Sequence, residues 1–298
     1  MIEKLSLLEN LIRRYSPTGQ EGEVAEFLAD AMMQLGFEAG LDELGNAVGS
    51  KGDGPSEVLM LGHIDTVPGE IAVERRGHDL YGRGAVDAKG PLACFVMAAA
   101  AVQPPPGWKI TVIGAVGEEG DSRGARHILK HRCRPAMVII GEPSGWDRIT
   151  LGYKGSLWLR YTRRQPMTHS ASTVETVCEA AVRFWTDVSM LANRYNQAYA
   201  RVFDQISPTL RSICSYTDHL FESVEMFIGL RLPPQAGVDK LLEEITDLAQ
   251  GATLFVEDQI PAFRAEKNTP LVRALLASIR QNGGTPGFTL KTGTSDMN

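Results

Sequence analysis

Three short apolar runs, each closed by a glycine and then by a histidine or an acid, constrain this chain more than any other feature. They are Val58-Leu59-Met60-Leu61 before Gly62-His63, the run 110–116 before Gly117-Glu118-Glu119, and the run 137–140 before Gly141-Glu142. Runs this short and this apolar predict strands buried on both faces, and helical stretches at 88–102 and 122–130 separate them. Buried strands alternating with helices imply an α/β domain, a mainly parallel sheet with helices on both faces. Ligands of such sheets bind beyond the carboxyl ends of the strands, where all three runs carry candidate ligand residues. Ahead of them, Ile2, Leu5, Leu8, Leu11, Ile12 and Tyr15 fall at helical spacing. Pro17 and Gly19 break that helix, and a second over 21–35 stops at Gly36.

The pattern changes near residue 150. Residues 148–163 read as one long strand or hairpin arm, about 174–195 as a helix, 223–232 as a half-buried strand, 238–248 as a helix and 252–256 as extended. This order predicts a compact α+β insert. A helix at 269–280 and a short strand at 288–290 follow it. Residues 1–152 and 263–298 are thus expected to form one discontinuous domain, with 153–262 as a second.

The totals narrow the function classes. Of 298 residues, 43% are hydrophobic and 22% charged, near the average for a globular protein. A formal net charge of −6 argues against nucleic acid as the main partner. No run of 18 apolar residues offers a membrane span, and the acid-bearing N-terminus is unlike a secretory leader, so a cytoplasmic location is expected. Cys94, Cys133, Cys178 and Cys214 form no CxxC pair and are expected to be reduced core thiols, neither a disulfide frame nor a thiolate metal site.

Each polar cluster has a plain reading and a chemical one. In Gly62-His63-Ile64-Asp65, an extended backbone puts His63 and Asp65 on one side, so Asp65 can accept the second ring N–H of His63, or the segment is an ordinary strand-end turn. In Gly84-Ala85-Val86-Asp87-Ala88-Lys89-Gly90, Asp87 precedes a helix and can cap it, leave an oxygen for a metal, or both. Glu118-Glu119 is a solvated turn unless a cation relieves the repulsion between the two acids. Together with Glu142 these clusters provide one histidine and four carboxylates at strand ends, a nitrogen and oxygen donor set that suits zinc, with cobalt or manganese as alternatives. Two cations sharing a carboxylate, roughly 3.5–4 Å apart, would activate a water, and a carboxylate that is not a ligand would take its proton. His127 and His131, four apart among Arg126, Lys130 and Arg132, read as a solvated basic face. Lys291-Thr292-Gly293 lacks the Ser-x-x-Lys that would make it a penicillin-recognising motif, and no P-loop, His-Glu-x-x-His or Gly-x-Ser-x-Gly occurs.

GHIDTVP, YGRGAVDAKGP, GEEG and GEPS, in this order and spacing, resemble the dinuclear-zinc family that includes aminoacylases, glutamate carboxypeptidases, acetylornithine deacetylases and succinyl-diaminopimelate desuccinylases. The resemblance implies that His63, Asp87 and Glu142 hold one metal, that Asp87 bridges to a second held by Glu119, that Glu118 is general base and later proton donor, and that Asp65 orients His63. It makes the insert a lid and dimerisation domain, and the chain a homodimer. His169, in Met167-Thr168-His169-Ser170-Ala171, resembles the lid histidine that stabilises the oxyanion in the partner subunit's site. Arg231, in Gly229-Leu230-Arg231-Leu232-Pro233, resembles a lid arginine for a substrate carboxylate, and Thr294, in Gly293-Thr294-Ser295-Asp296, a substrate-contacting loop residue.

Within that family, residues 62–92 are most similar to the hydrolases that release lysine or ornithine from the terminal glutamate of a small acidic amino-group carrier protein in lysine and arginine biosynthesis. The bond cut there is an amide to the glutamate side chain. An N-acyl-amino-acid deacylase or dipeptidase is the alternative, and an inactive metal-binding protein is the alternative of another class. One departure bears on this choice. The family's final histidine, a ligand of the second metal downstream of the Gly-Thr-Ser-Asp loop, has no counterpart before Asn298. The expectation is therefore a C-terminally truncated chain that binds one zinc better than two, with weak or no activity. Arg160, Arg163 and Arg164 are candidates to face an acidic carrier, although a solvated strand edge is the simpler reading.

Overall fold

The computed structural model describes residues 4–169 and 171–298; Ile2, the side chain of Leu5 and Ser170 lie outside the described residues. The chain divides into two compact units, one up to Gly145 and one over Trp146–Asn298. Among the described residues, no helix is long and apolar enough to cross a membrane.

The first unit contains α1 (Lys4–Arg13), α2 (Gly22–Gln34), β1 (Glu38–Leu41), β2 (Ala47–Lys51), β3 (Ser56–His63), β4 (Glu74–Arg76), β5 (Asp79–Tyr81), α3 (Lys89–Ala100), β6 (Trp108–Ala115), α4 (Arg123–His131) and β7 (Met137–Ile140). Five strands form one sheet in the order β1-β2-β6-β3-β7, while β4 and β5 pair separately. The three apolar runs are its parallel strands β6, β3 and β7, with β7 at the edge. The β1-β2 hairpin joins one edge antiparallel. The side-chain alternation of β3 builds both layers. Met60 packs with Leu11, Leu28, Met32, Leu92 and Val96 from α1, α2 and α3, whereas Leu59 and Leu61 pack with Ile113 and Ile128, the latter from α4. Helices therefore cover both faces, as the apolar runs predict. Register aligns the two ligand-bearing ends, Gly62 beside Gly114 and His63 beside Ala115.

The second unit contains β8 (Arg148–Tyr153), β9 (Gly155–Pro166), α5 (Val177–Asn196), β10 (Ser207–Thr217), β11 (Phe221–Leu232), α6 (Val238–Leu248), β12 (Thr253–Ile260), β13 (Phe263–Arg264), α7 (Pro270–Gln281) and β14 (Gly287–Lys291). Here the reading of 148–163 as a single strand needs correction. It is two strands in two sheets: β8 between β13 and β14, and β9 between β11 and β12 in the order β10-β11-β9-β12. The switch falls at Lys154-Gly155. A Cβ on Gly155 would lie 2.4 Å from the Ile260 carbonyl oxygen, so only glycine lets the backbone pass there. The antiparallel sheet buries Leu157, Leu159, Tyr161, Met226 and Ile228 against Phe184 and Val188 of α5 and Ile245 of α6. A capping box between Thr176 and Glu179 starts α5. The thiols also differ from expectation. All four cysteines are free but exposed, not buried in a core.

Candidate metal centre

His63 is the last residue of β3 and is 1% exposed, while Asp65, one turn on, is fully buried. The His63 Nε2 atom lies 3.2 Å from Asp87 Oδ1 and 3.9 Å from Glu118 Oε2. The other ring nitrogen, Nδ1, is 2.9 Å from the Asp65 backbone carbonyl and 3.4 Å from its carboxylate. The carbonyl is thus the nearer acceptor and fixes the tautomer, leaving Nε2 to face the acids.

The Asp65 carboxylate also has a role that sequence spacing does not show. It accepts hydrogen bonds from the backbone N–H groups of both Glu118 and Glu119, at 3.0 Å each, and from Thr18 Oγ1 at 2.8 Å. One buried carboxylate therefore ties the glutamate turn to the end of β3. Although burial opposes its charge, bonds from His63 and Thr18 hold its pKa below the ordinary value. Thr18 itself belongs to the link between α1 and α2, which the sequence marks only as a helix break. Its N–H donates to the Thr66 carbonyl, and the Ser16 hydroxyl donates to that of Ile64. The Ser16-Pro17-Thr18 segment is laid along the β3 exit.

Two further local devices place the acids. Gly117 has φ +78° and accepts from the N–H groups of Gly120 and Ser122, which makes the tight turn that presents Glu118 and Glu119. Arg123 lies over that glycine and pairs with buried Glu21 at 2.7 Å. On the other side, Asp87 does not cap α3. The N-cap is Ala88, which receives no side-chain cap, so the carboxylate of Asp87 is turned to His63 instead. Lys89, fully buried, donates through Nζ to the carbonyls of Leu11 and Arg14 at 3.0 and 2.7 Å. It thereby satisfies the orphan acceptors at the end of α1 and anchors the segment that carries Asp87. An open cavity of about 900 Å³ adjoins Asp87 and Glu119 and is also lined by Tyr81, Arg83 and His78.

His63, Glu118 and Glu142 present ligand atoms all within 4.8 Å of one another, and so do His63, Asp87 and Glu119. All five residues expected at the centre converge, in two triads that share the one imidazole. Their electrostatics reflect this crowding of acids. Burial lowers the imidazole pKa, yet hydrogen bonds to Asp65 and Asp87 and the charges of Glu118 and Glu142 outweigh it and raise the value to about 11. Burial, with Asp87 and Asp65 nearby, raises the Glu119 carboxyl despite the opposing pull of His63. Imidazole and carboxylate donors without thiolate, crowded in this way, fit a divalent ion such as zinc, cobalt or manganese.

The remaining expected residues lie in the second unit. Arg231 donates to Thr294 Oγ1 at 2.9 Å, so these two are brought together. His169 is exposed, and its Nδ1 accepts from the Ala171 N–H at 3.1 Å. His127 and His131 stack on one another, 4.2 Å between ring centres, apart from the acids of the triads.

The chain is 40% identical over 301 residues to the LysW-lysine hydrolase of Deinococcus radiodurans, covering 98% of this chain and 83% of that one. It is 28% identical to the LysW-lysine/LysW-ornithine hydrolase of Sulfurisphaera tokodaii, covering 98% and 81%. Among solved structures, the aminopeptidase PepT of Bacillus cereus superposes with a TM-score of 0.77 at 17% identity, over 100% of this chain and 87% of that one, a likeness of fold alone. The family model for peptidase family M20/M25/M40 matches residues 59–298, a span that contains both triads, and the chain belongs to that family.

Proposed function

We propose that this chain is a metal-dependent amidohydrolase that releases lysine or ornithine from the terminal glutamate of an amino-group carrier protein. The observation that carries the reading is the pair of triads sharing His63, one of which contains Glu118, whose backbone is held by Asp65. The names of the two relatives support the substrate. His63, Asp87 and Glu142 would hold one zinc, and Asp87 with Glu119 would contribute to a second. A divalent ion in this place polarises an amide carbonyl and makes a water acidic near neutral pH.

The chain's own groups do the rest. Glu118 takes a proton from the attacking water as oxygen bonds to the amide carbon. It returns that proton to the amine nitrogen as the carbon–nitrogen bond breaks, giving a carboxylate on the carrier and a free amino acid. Asp65 keeps the Glu118 backbone in place through this exchange. His169, from the partner subunit of a homodimer, donates to the oxyanion, and Arg231 with Thr294 binds a substrate carboxylate. Residues 1–152 and 263–298 act as the catalytic domain and 153–262 as the lid and dimerisation domain. The antiparallel sheet of the latter has a core of its own, which supports that division.

The test is to assay carrier-linked lysine, acyl-lysine and acyl-ornithine side by side, with zinc counted per subunit. Strong preference for the carrier-linked substrate is expected. Preference for acyl-lysine or acyl-ornithine would make the chain a free deacylase. No turnover of any of them by zinc-loaded protein would leave a metal-binding protein without catalysis.

A further inference from the structure

Val116 is the residue at which the chain leaves β6, two positions before Glu118. The pairing of β2 with β6 stops at Ala47 opposite Gly114, and that of β3 with β6 at His63 opposite Ala115. Beyond both ladders, the N–H of buried Val116 is met by a side chain: it donates to Asn46 Oδ1 at 3.0 Å, across 70 positions of sequence. Asn46 is fully buried, and the rest of its amide is also committed. Its Nδ2 donates to Asp42 Oδ2 at 2.7 Å and to the Gly124 carbonyl at 3.4 Å. Asp42 is itself held in the β1–β2 turn, where its Oδ1 accepts from the N–H groups of Leu44 and Asn46. The position therefore requires an acceptor towards Val116 and a donor towards Asp42 on one short side chain. A primary amide supplies both, whereas a carboxylate or an alkyl group of the same size does not.

The start of α4 closes on the same point. The Gly124 N–H donates to the Val116 carbonyl at 3.0 Å, and a Cβ on Gly124 would lie 2.4 Å from Asn46 Oδ1. Asn46 thus stands where the β1–β2 turn, the exit of β6 and the first turn of α4 meet. The glutamate turn spans the interval between Val116 and Gly124. Asp65 holds its middle, through the N–H groups of Glu118 and Glu119, and Asn46 holds its root. Gly117, with φ +78°, is a conformationally soft joint between that root and Glu118, so the direction in which the acids are presented depends on what anchors each side of it. We infer that Asn46 is a positioning residue for the hydrolysis proposed above: through Val116 it fixes where the glutamate turn leaves the sheet, and with it the placement of Glu118 and Glu119. It touches neither acid and carries no proton for them. The inference rests on the reading of Glu118 as the base.

The test exchanges the two partners of the amide–carboxylate pair. In Asn46→Asp the Val116 N–H keeps an acceptor, but two carboxylates then face each other across the contact with Asp42, and one has to move. Adding Asp42→Asn restores one amide and one carboxylate with donor and acceptor exchanged. In the zinc-loaded full chain, Asn46→Asp should lower kcat for carrier-linked lysine about 30-fold with KM within about twofold, as expected of displaced reacting groups. The double variant should return kcat to within about threefold of the unaltered protein. Without zinc, hydrogen exchange at the Glu118 and Glu119 amides should speed up about tenfold in Asn46→Asp and slow again in the double variant. A folded Asn46→Asp protein with unchanged kcat overturns the positioning role and leaves Asn46 a residue of the fold alone. A double variant that regains the unfolding free energy of the unaltered protein but not its kcat does the same. If Asn46→Asp does not fold, Asn46→Ser, whose hydroxyl is too short to reach Val116, takes its place, and unchanged kcat and exchange in it overturn the role. If the unaltered protein turns over no substrate, the hydrolase reading fails by itself and exchange decides: equal rates at Glu118 and Glu119 in the unaltered and substituted proteins overturn the positioning of the turn by Asn46.

Discussion

The two units carry opposite charge deficits. In the first, four carboxylates surround one imidazole and drive its pKa to about 11, so the pocket is short of positive charge. In the second, Arg231 is half-buried, and burial together with the nearby Arg211 charge pushes its pKa below the ordinary arginine value. Its hydrogen-bond partner there is the neutral hydroxyl of Thr294. A guanidinium in that state gains most from a carboxylate, just as the first pocket gains most from a cation. The proposed roles follow the same contrast, a cation for the first pocket and a substrate carboxylate for Arg231.

The largest effect should come from the acid in the first pocket that the proposed mechanism keeps for proton transfer. Glu118→Gln preserves shape and the backbone bond to Asp65 but cannot accept a proton. It should lower kcat by about 10³-fold while zinc content holds. Activity surviving unchanged would remove Glu118 as the base and reduce the pocket to a binding site. The mirror experiment in the second unit is Arg231→Met, which removes the positive charge and leaves Thr294. KM should rise roughly 30-fold, the value of one charge-assisted contact, with a smaller change in kcat. An equal fall in kcat and no change in KM would mean that Arg231 serves the reacting bond, and the proposed division of labour would be wrong.

How far this division was legible beforehand follows from the range of the interactions. The metal donors are legible because each is local, an apolar strand, a glycine and an acid or histidine in immediate succession. The supports are not. Thr18 reaches Asp65 across 47 positions, and Lys89 reaches Leu11 across 78, so neither leaves a short-range pattern. The same holds for β10, whose Ser207–Thr217 is an edge strand with little burial and no alternation to read. Nor does the apolar text at 148–163 announce that the chain changes sheets at Gly155, since what excludes a side chain there is the distant Ile260 backbone. Arg231 is marked in the sequence only by a resemblance in its surrounding residues, whereas its electrostatics are set by burial and then by the Arg211 charge on the neighbouring strand.

Asp65 allows a smaller and sharper test of the first pocket. Asp65→Asn replaces one acceptor oxygen with a donor facing the Glu118 and Glu119 N–H groups. It should cost about tenfold to 100-fold in activity or in zinc affinity, as outer-sphere partners of metal ligands do. Thr18→Val removes a single hydroxyl from the same carboxylate and should cost only a few-fold, since a hydrogen bond of this kind contributes about 1 kcal/mol. The informative result is the order of the two. If Thr18→Val were as damaging as Asp65→Asn, the link between α1 and α2, rather than the carboxylate, would be what positions the glutamate turn.

The smallest effect expected belongs to the second unit and is read by pH. Lys154 is fully buried at the change of sheets, donating to the Gln205 carbonyl and the Ser207 hydroxyl. Burial lowers its pKa to about 8, with Asp204 opposing the shift and Arg231 adding to it. Because the folded value lies below the unfolded one near 10.5, the unfolded chain binds more protons between those two values. Stability should therefore rise with pH from about 8 towards 10.5 on this account, and the penalty for burying the charge should be fully present below pH 8. Lys154→Met deletes the titrating group, so the difference in unfolding free energy between the two proteins should change with pH inside that window and be flat below it. Urea unfolding of both at pH 7, 8, 9 and 10 measures this. A flat difference throughout would mean that Lys154 keeps its ordinary proton affinity in the fold.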